Sequence, residues 1–178
     1  MNKSTRNLFI VIAVLCVGLM AIRKPILQGR MLPSLRALIM FVAPPKDLYV
    51  PVLKLPIDVS VAGGTVDAVF TNKYAGRHAL GVFAENMGKD SPVLSEQFQL
   101  RVEMFDDTSR VVSEITEARR FLFWGPQGDG MAFLTFDAPA PLPVGKPIRC
   151  HVEVLSADPA FQKQHGPLTV YVQKDAEF

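Results

Sequence analysis

The chain has 178 residues, of which 49% are hydrophobic and 20% charged. At roughly 100–200 residues per domain, that length holds one folded domain, alone or with a membrane or targeting segment. This composition excludes an intrinsically disordered chain. The net charge of +2 conceals an asymmetry. Residues 1–45 carry Lys3, Arg6, Lys24, Arg23, Arg30 and Arg36 with no acid, a net of +6, and leave 13 basic against 17 acidic residues beyond them, a net of −4. A basic leader suits anionic lipid, and a mildly acidic domain is poorly suited to nucleic acid, which is not expected as a partner.

The first element is the apolar run Leu8–Ile22, 15 residues bounded by Lys3 and Arg6 on one side and Arg23, Lys24 and Pro25 on the other. As a helix it extends about 22 Å, short of a hydrocarbon core of about 30 Å, although flanking cations can snorkel and Ser4 to Asn7 can lengthen it. Three readings compete. A cleaved signal needs a small residue two positions before its last residue, and ending at Ala21 puts Leu19 there. A lipoprotein built on Cys16 finds Leu15 where a small residue is expected, and the run continues past it. An uncleaved anchor is preferred, with the inner membrane engaged through residues 8–22. Its short leader stays inside and the domain lies outside, in the periplasm of a bacterial cell. Cys150 then stands alone in the domain, which can form no internal disulfide and holds that cysteine as a small buried hydrophobe.

Next come Leu35, Leu38, Ile39 and Val42 at helical spacing, with Ser34 as a cap and Pro44 and Pro45 as a stop. This short helix either lies on the membrane surface or packs on the domain. Four prolines, Pro44, Pro45, Pro51 and Pro56, mark an extended linker. The reading therefore divides the chain into an anchor over residues 1–24, a juxtamembrane helix and linker over 25–55, and a β-sandwich over 56–178.

From Pro56 the period becomes two. Ile57, Val59 and Val61 alternate with polar residues, Gly63 and Gly64 supply a turn, and Val66, Ala68 and Phe70 follow, which predicts a hairpin. Leu80, Val82 and Ala84 form the next strand, and a loop through Met87 to Pro92 leads to Phe98, Leu100, Val102 and Met104, inward against polar neighbours. Asp106 to Ser109 reads as a turn, Arg110 to Thr116 as a strand, and Gly125 to Gly130 as a loop after an apolar patch at Phe121 to Trp124. Met131, Phe133 and Leu134 open another strand, and Ile148, Cys150, Val152 and Val154 make one more. Asp158 and Pro159 start a short helix that Gly166 and Pro167 end, before a last strand at Leu168, Val170 and Val172. Eight or nine short strands without crossover helices predict an all-β antiparallel sandwich, immunoglobulin-like or jelly-roll.

Chemistry is harder to find. His78, His151 and His165 lie in different elements at no metal-ligand spacing and read as surface or loop residues. The Gly125–Gly130 segment precedes a strand and lacks the Lys and Ser or Thr of a phosphate loop, and no serine sits in a glycine elbow. The expectation is a non-enzyme without metal or cofactor. What remains is surface: Arg119, Arg120, Phe121, Leu122, Phe123 and Trp124 combine cations with aromatics as protein interfaces do. The plainer reading sends Trp124 and one Phe into the core. Tyr74, Arg77 and His78 form a second candidate, on a loop at a sandwich end. The proposed partner-binding set is Arg119, Arg120, Phe123, Trp124, Tyr74 and Arg77.

The stretch LPIDVSVAGGTVDAVFTNKYAGRHALGVFAEN, with PLPVGKPIRCHVEVL near the end, resembles uncharacterised bacterial exported β-sandwich domains, several of which look like immunity proteins against toxins delivered between cells. The resemblance lies in strand rhythm and short phrases over residues 56–172, so no functional residue is carried over. The anchor, the acidic domain and the lack of a catalytic motif point to a membrane-tethered periplasmic module that binds a protein partner, and the resemblance makes toxin neutralisation its sharpest version. An accessory subunit of an envelope assembly and an envelope carbohydrate-binding module or enzyme, stacking on Trp124 and Tyr74, are the alternatives.

Overall fold

The computed structural model describes residues 3–30, 33–42, 44–84, 98–107, 109–117, 119–125 and 128–175. The chain divides into two compact units, Met1–Pro45 and Lys46–Phe178, so residues 46–55 belong with the β-rich unit. In the first unit helix α1 runs from Lys3 to Leu27 and α2 from Pro33 to Val42. The candidate span Thr5–Leu27 covers 23 residues, about 35 Å at 1.5 Å per residue, enough for a hydrocarbon core of about 30 Å. The apolar run alone is too short for this. The helix gains its length by continuing through Arg23, Lys24 and Pro25. Its end is chemically defined: Gly29 takes φ 72, its N–H donates to the Ile26 carbonyl at 3.0 Å, and the Arg30 N–H donates to the Pro25 carbonyl at 2.9 Å. This paired closure around a left-handed glycine satisfies carbonyls that the last turn leaves open.

In the second unit the described residues form nine strands: β1 (Leu53–Ile57), β2 (Thr65–Thr71), β3 (Gly76–Ala84), β4 (Gln99–Asp106), β5 (Ser109–Glu117), β6 (Arg119–Gly125), β7 (Gly128–Ala138), β8 (Pro147–Ser156) and β9 (Leu168–Lys174). Helix α3 (Pro159–His165) stands between the last two. The five-stranded sheet has the order β1-β9-β3-β7-β6 and the four-stranded sheet the order β2-β8-β4-β5. All pairings between these strands are antiparallel. The pairs are nested: β1 with β9, β2 with β8, β3 with β7 and β4 with β5. One long hairpin wound on itself into two sheets has this order, which selects the jelly-roll form of the sandwich. β6 is an added strand beside β7.

Period-two burial places the core between the sheets. Leu80, Val82, Phe133, Phe136, Leu168, Val170 and Val172 come from one sheet, and Leu100, Val102, Met104, Ile148, Cys150, Val152 and Val154 from the other. Phe98 lies against Phe133 and Phe161, with ring centroids 5.2 Å apart in each case, so α3 closes onto the same cluster. α3 starts where its sequence directs: the Phe161 N–H donates to Asp158 Oδ1 at 2.9 Å, with Pro159 following the cap. The loop expected at Met87 to Pro92 lies outside the described residues.

One expectation fails. β1 and β2 do not form a hairpin; they belong to different sheets. Gly63 takes φ 83 and donates to the Val154 carbonyl at 2.8 Å, while the Val154 N–H donates to the Gly64 carbonyl at 2.9 Å. The two glycines therefore pass the chain from one sheet to the other along β8. Alternation determines which face of a strand is buried, and it carries no information about which strand lies alongside.

Candidate interaction surface

β6 carries Arg119, Arg120, Phe123 and Trp124 and forms one edge of the five-stranded sheet. Its partner is β7, with Arg119 opposite Ala132, then a register shift, then Leu122 opposite Met131, Phe123 opposite Gly130 and Trp124 opposite Asp129. Three residues of β6 thus advance against one of β7, which bends an edge strand locally, as bulges do at sheet rims. Gly125 faces Gly128, so the strands close within two residues and Gly128 and Gly130 lie inside β7. The glycine-rich segment is therefore a hairpin rather than the longer loop its composition suggests. Gly130 has a packing reason to be glycine: a Cβ there would sit 3.1 Å from Cε1 of Tyr171.

Tyr74 and Arg77 lie elsewhere. Arg77 is opposite Asp137 on β7 and Trp124 is opposite Asp129, eight residues along the strand and so roughly 25 Å apart. The structure does not bring the two candidate groups together. Both residues make internal ties: the Tyr74 hydroxyl donates to Asp47 Oδ1 at 2.6 Å, beside Lys73 donating to Asp47 Oδ2 at 2.8 Å, and Arg77 Nε donates to Asp175 Oδ2 at 2.7 Å. The Lys73 and Tyr74 bonds hold the Asp47 carboxyl below its usual range. These contacts fasten the incoming chain to the β2–β3 connection at Lys73 and Tyr74, and the residue after β9 to Arg77, which lies in strand β3 and not in a loop. Their partners Asp47 and Asp175 were not singled out from the sequence.

The histidines differ from expectation. His78 and His165 are buried, and only His151 lies on an outer face, with Nδ1 2.9 Å from Asp67 Oδ1. His78 stacks on Phe136 at 5.6 Å, and its Nδ1 lies 2.9 Å from the Gly76 carbonyl. Lys174, opposite His78 across β3 and β9, is also buried and donates to the carbonyls of Arg77 at 3.1 Å and Asp175 at 3.3 Å. Parity is the signal that finds both: His78 continues the inward series of Leu80 and Val82, and Lys174 that of Leu168, Val170 and Val172. Residue polarity misdirected the reading of His78, because a ring edge and an ammonium can be satisfied by backbone carbonyls at the end of a sandwich.

The outer face of the four-stranded sheet carries short-range charge pairs beside the exposed Val69 and Ile115. Arg110 donates to Glu103 at 2.7 Å, Arg101 to Glu153 at 2.5 Å, and the Arg149 guanidinium lies 4.4 Å from the Phe105 ring centroid. Exposed pairs of this kind contribute about 0–1 kcal/mol each and suit a hydrated face. Inside, burial pushes the Cys150 thiol up to about 12, with the Asp67 charge adding to it, so this sulfur is protonated and inert at neutral pH. Burial, with Asp175 adding to it, also raises the Tyr171 phenol above its ordinary value. Among the described residues no group of three or more His, Cys, Asp or Glu side chains is placed to hold a metal ion.

No family model matches the chain. No curated protein matches it either. Among solved structures, the crystal structure of a protein from Sulfurospirillum deleyianum is similar over 67% of this chain and 94% of that one, at 9% identity and a TM-score of 0.43. A family GH115 4-O-methyl-alpha-glucuronidase with specificity for decorated arabinogalactans is similar over 71% of this chain and 17% of its own, at 10% identity and a TM-score of 0.34.

Proposed function

We propose that the chain is a membrane-anchored, non-enzymatic binding module whose β-sandwich stands in the periplasm and recognises a protein partner, a toxin delivered between cells in the sharpest version. The observation that carries this reading is the position of β6. Arg119, Arg120, Phe123 and Trp124 occupy the rim strand of a sheet, beside a register break and one turn from a hairpin end. Cationic and aromatic residues are the types most enriched where proteins bind one another, and bulged edge strands recur at binding sites. The N-terminal helix, 23 residues by its apolar span, supports the tether. Basic residues flank both ends of the run, Lys3 and Arg6 before it and Arg23, Lys24, Arg30 and Arg36 after it, so the external placement rests on the shortness of the segment before the run.

The test has two parts. In spheroplasts of cells producing a carboxy-terminally tagged chain, added protease should remove the domain while intact mass shows an uncleaved amino terminus. Crosslinking followed by capture should recover one specific protein with the wild type and lose it with Arg120→Glu and Trp124→Ala. A protease-protected domain overturns the periplasmic placement. Identical recovery by wild type and both variants overturns the role of β6.

A further inference from the structure

Four strands bound the two sheets: β1 and β6 in one, β2 and β5 in the other. An unpaired edge presents N–H and C=O groups to any extended chain, and natural edges are blunted by shortness, proline, lysine, bulges or charge. β1 has five residues and contains Lys54 and Pro56. β6 meets β7 across a register shift. β5 meets β4 across another shift, between Met104 and Phe105, and carries Arg110, Glu114 and Glu117. β2 is the least protected of the four. Its seven residues, TVDAVFT, contain no Pro or Lys and one charge, Asp67, and they pair with β8 without a break from Thr65 to Thr71. Among the described residues no strand pairs with β2 on the side away from β8, and its outer-face side chains are solvated, Val69 at 65% and the Asp67 side chain at 68% exposure.

Beyond the β6 reading and independent of it, we infer that β2 is a self-association edge: two copies pair β2 with β2, antiparallel about Ala68, and join their four-stranded sheets into one of eight strands. The sequence of β2 selects this occupant. Centred on Ala68, the strand is its own complement, with Thr65 opposite Thr71 of the second copy, Val66 opposite Phe70, and Asp67 opposite Val69. Val66 and Ala68 already pack against the core beside Phe70, so the added strand continues an apolar inner layer with the same residues. Outside, each Asp67 meets an uncharged Val69. The neighbouring register that keeps the faces matched on one side sets Asp67 against Asp67, which like-charge repulsion disfavours. On the other side it shortens the pairing to residues 67–71. A two-fold axis through Ala68 makes the contact isologous and closed, which limits growth to a dimer.

The register gives a direct test on the full chain in detergent, with Cys16→Ser to remove the helix thiol. Facing residues of an antiparallel pair have Cα atoms about 4.5–5.5 Å apart, within disulfide reach. Mild oxidation should link Ala68→Cys into dimers and leave Val61→Cys, at an exposed position outside β2, unlinked. Sedimentation equilibrium should show Val69→Asp, which faces Asp67 of the second copy twice over, dimerising at least about tenfold more weakly than wild type. Val69→Lys, which meets the same carboxylate, should dimerise as well as wild type or better. Both side chains project into solvent, so both variants should fold, as unchanged circular dichroism spectra confirm. A chain monomeric at all concentrations, no crosslink above the Val61→Cys level, or equal loss with Asp and Lys at position 69 each overturns the inference.

Discussion

Gly81 tests whether the five-stranded sheet is packed as described. It lies at the centre of β3, where the register with β7 shifts between Leu80 and Gly81, and the Tyr171 ring crosses it from β9. A Cβ at Gly81 would overlap the Met131 carbonyl of β7 and stand 2.5 Å from the Tyr171 hydroxyl oxygen and 2.6 Å from Cζ. The first obstacle is backbone and cannot rotate away, so β3 and β7 must separate. Overpacking of this kind costs about 1–3 kcal/mol and occasionally more, against about 0.4–1 kcal/mol gained by stiffening the unfolded chain. With backbone and ring both in the way, Gly81→Ala should destabilise by about 3 kcal/mol, lowering the melting temperature of a unit of this size by roughly 10 °C. At Gly130 the closest approaches are 3.0 Å to the Val82 carbonyl and 3.1 Å to the Tyr171 ring, so Gly130→Ala should cost only about 1 kcal/mol. Near-ultraviolet circular dichroism melts of the full chain in detergent measure both. Adding Tyr171→Ala should relieve Gly130→Ala more completely than Gly81→Ala, because it leaves the Met131 carbonyl in place. A Gly81→Ala melt within about 2 °C of wild type, or its full rescue by Tyr171→Ala, would refute the packing.

Three further outcomes follow from buried groups and caps. His165 is buried against Phe161, with centroids 4.6 Å apart and, among the described residues, no hydrogen-bond partner on either ring nitrogen, and burial lowers its pKa below 6.5. The unfolded chain therefore binds the proton more readily than the folded one. Stability should be complete above about pH 6.5 and fall as the pH drops through that value toward the depressed folded one, and His165→Leu should flatten this decline in melts from pH 7.5 to 5. Cys150, in a Cys16→Ser background, should resist iodoacetamide at pH 8 in the native state and react fully in urea, as mass spectrometry reads; rapid native alkylation would contradict its burial. Asp158→Ala removes the acceptor for the Phe161 N–H and should cost about 1 kcal/mol in urea unfolding, with Asp158→Asn retaining most of the stability.

The sequence by itself determined much of this protein at the level of short-range physics. The apolar helix, the cap at Asp158, the turn at Asp106 to Ser109 and the inward series of β4, β8 and β9 depend on residues within a few positions of one another, and period and capping chemistry report such relations directly. Antiparallel sandwich architecture followed from many short strands without crossover helices. Local signals marked Phe121 to Trp124 only as an apolar patch before a loop, and the tertiary order made Arg119–Gly125 a strand at a sheet edge.

Only the tertiary structure decided pairing and partnership. Nested strand order, which selects a jelly roll and separates β1 from β2, joins residues more than a hundred positions apart, as in Leu53 opposite Val172. The internal ties of the partner-binding candidates Tyr74 and Arg77 are invisible to local patterns, because Asp47 and Asp175 stand 27 and 98 positions away from them. His78 and Lys174 were concealed by polarity, although parity placed them inside. The physical reason is common to all four: a period of two states which face a residue shows, and only long-range backbone pairing states what that face meets.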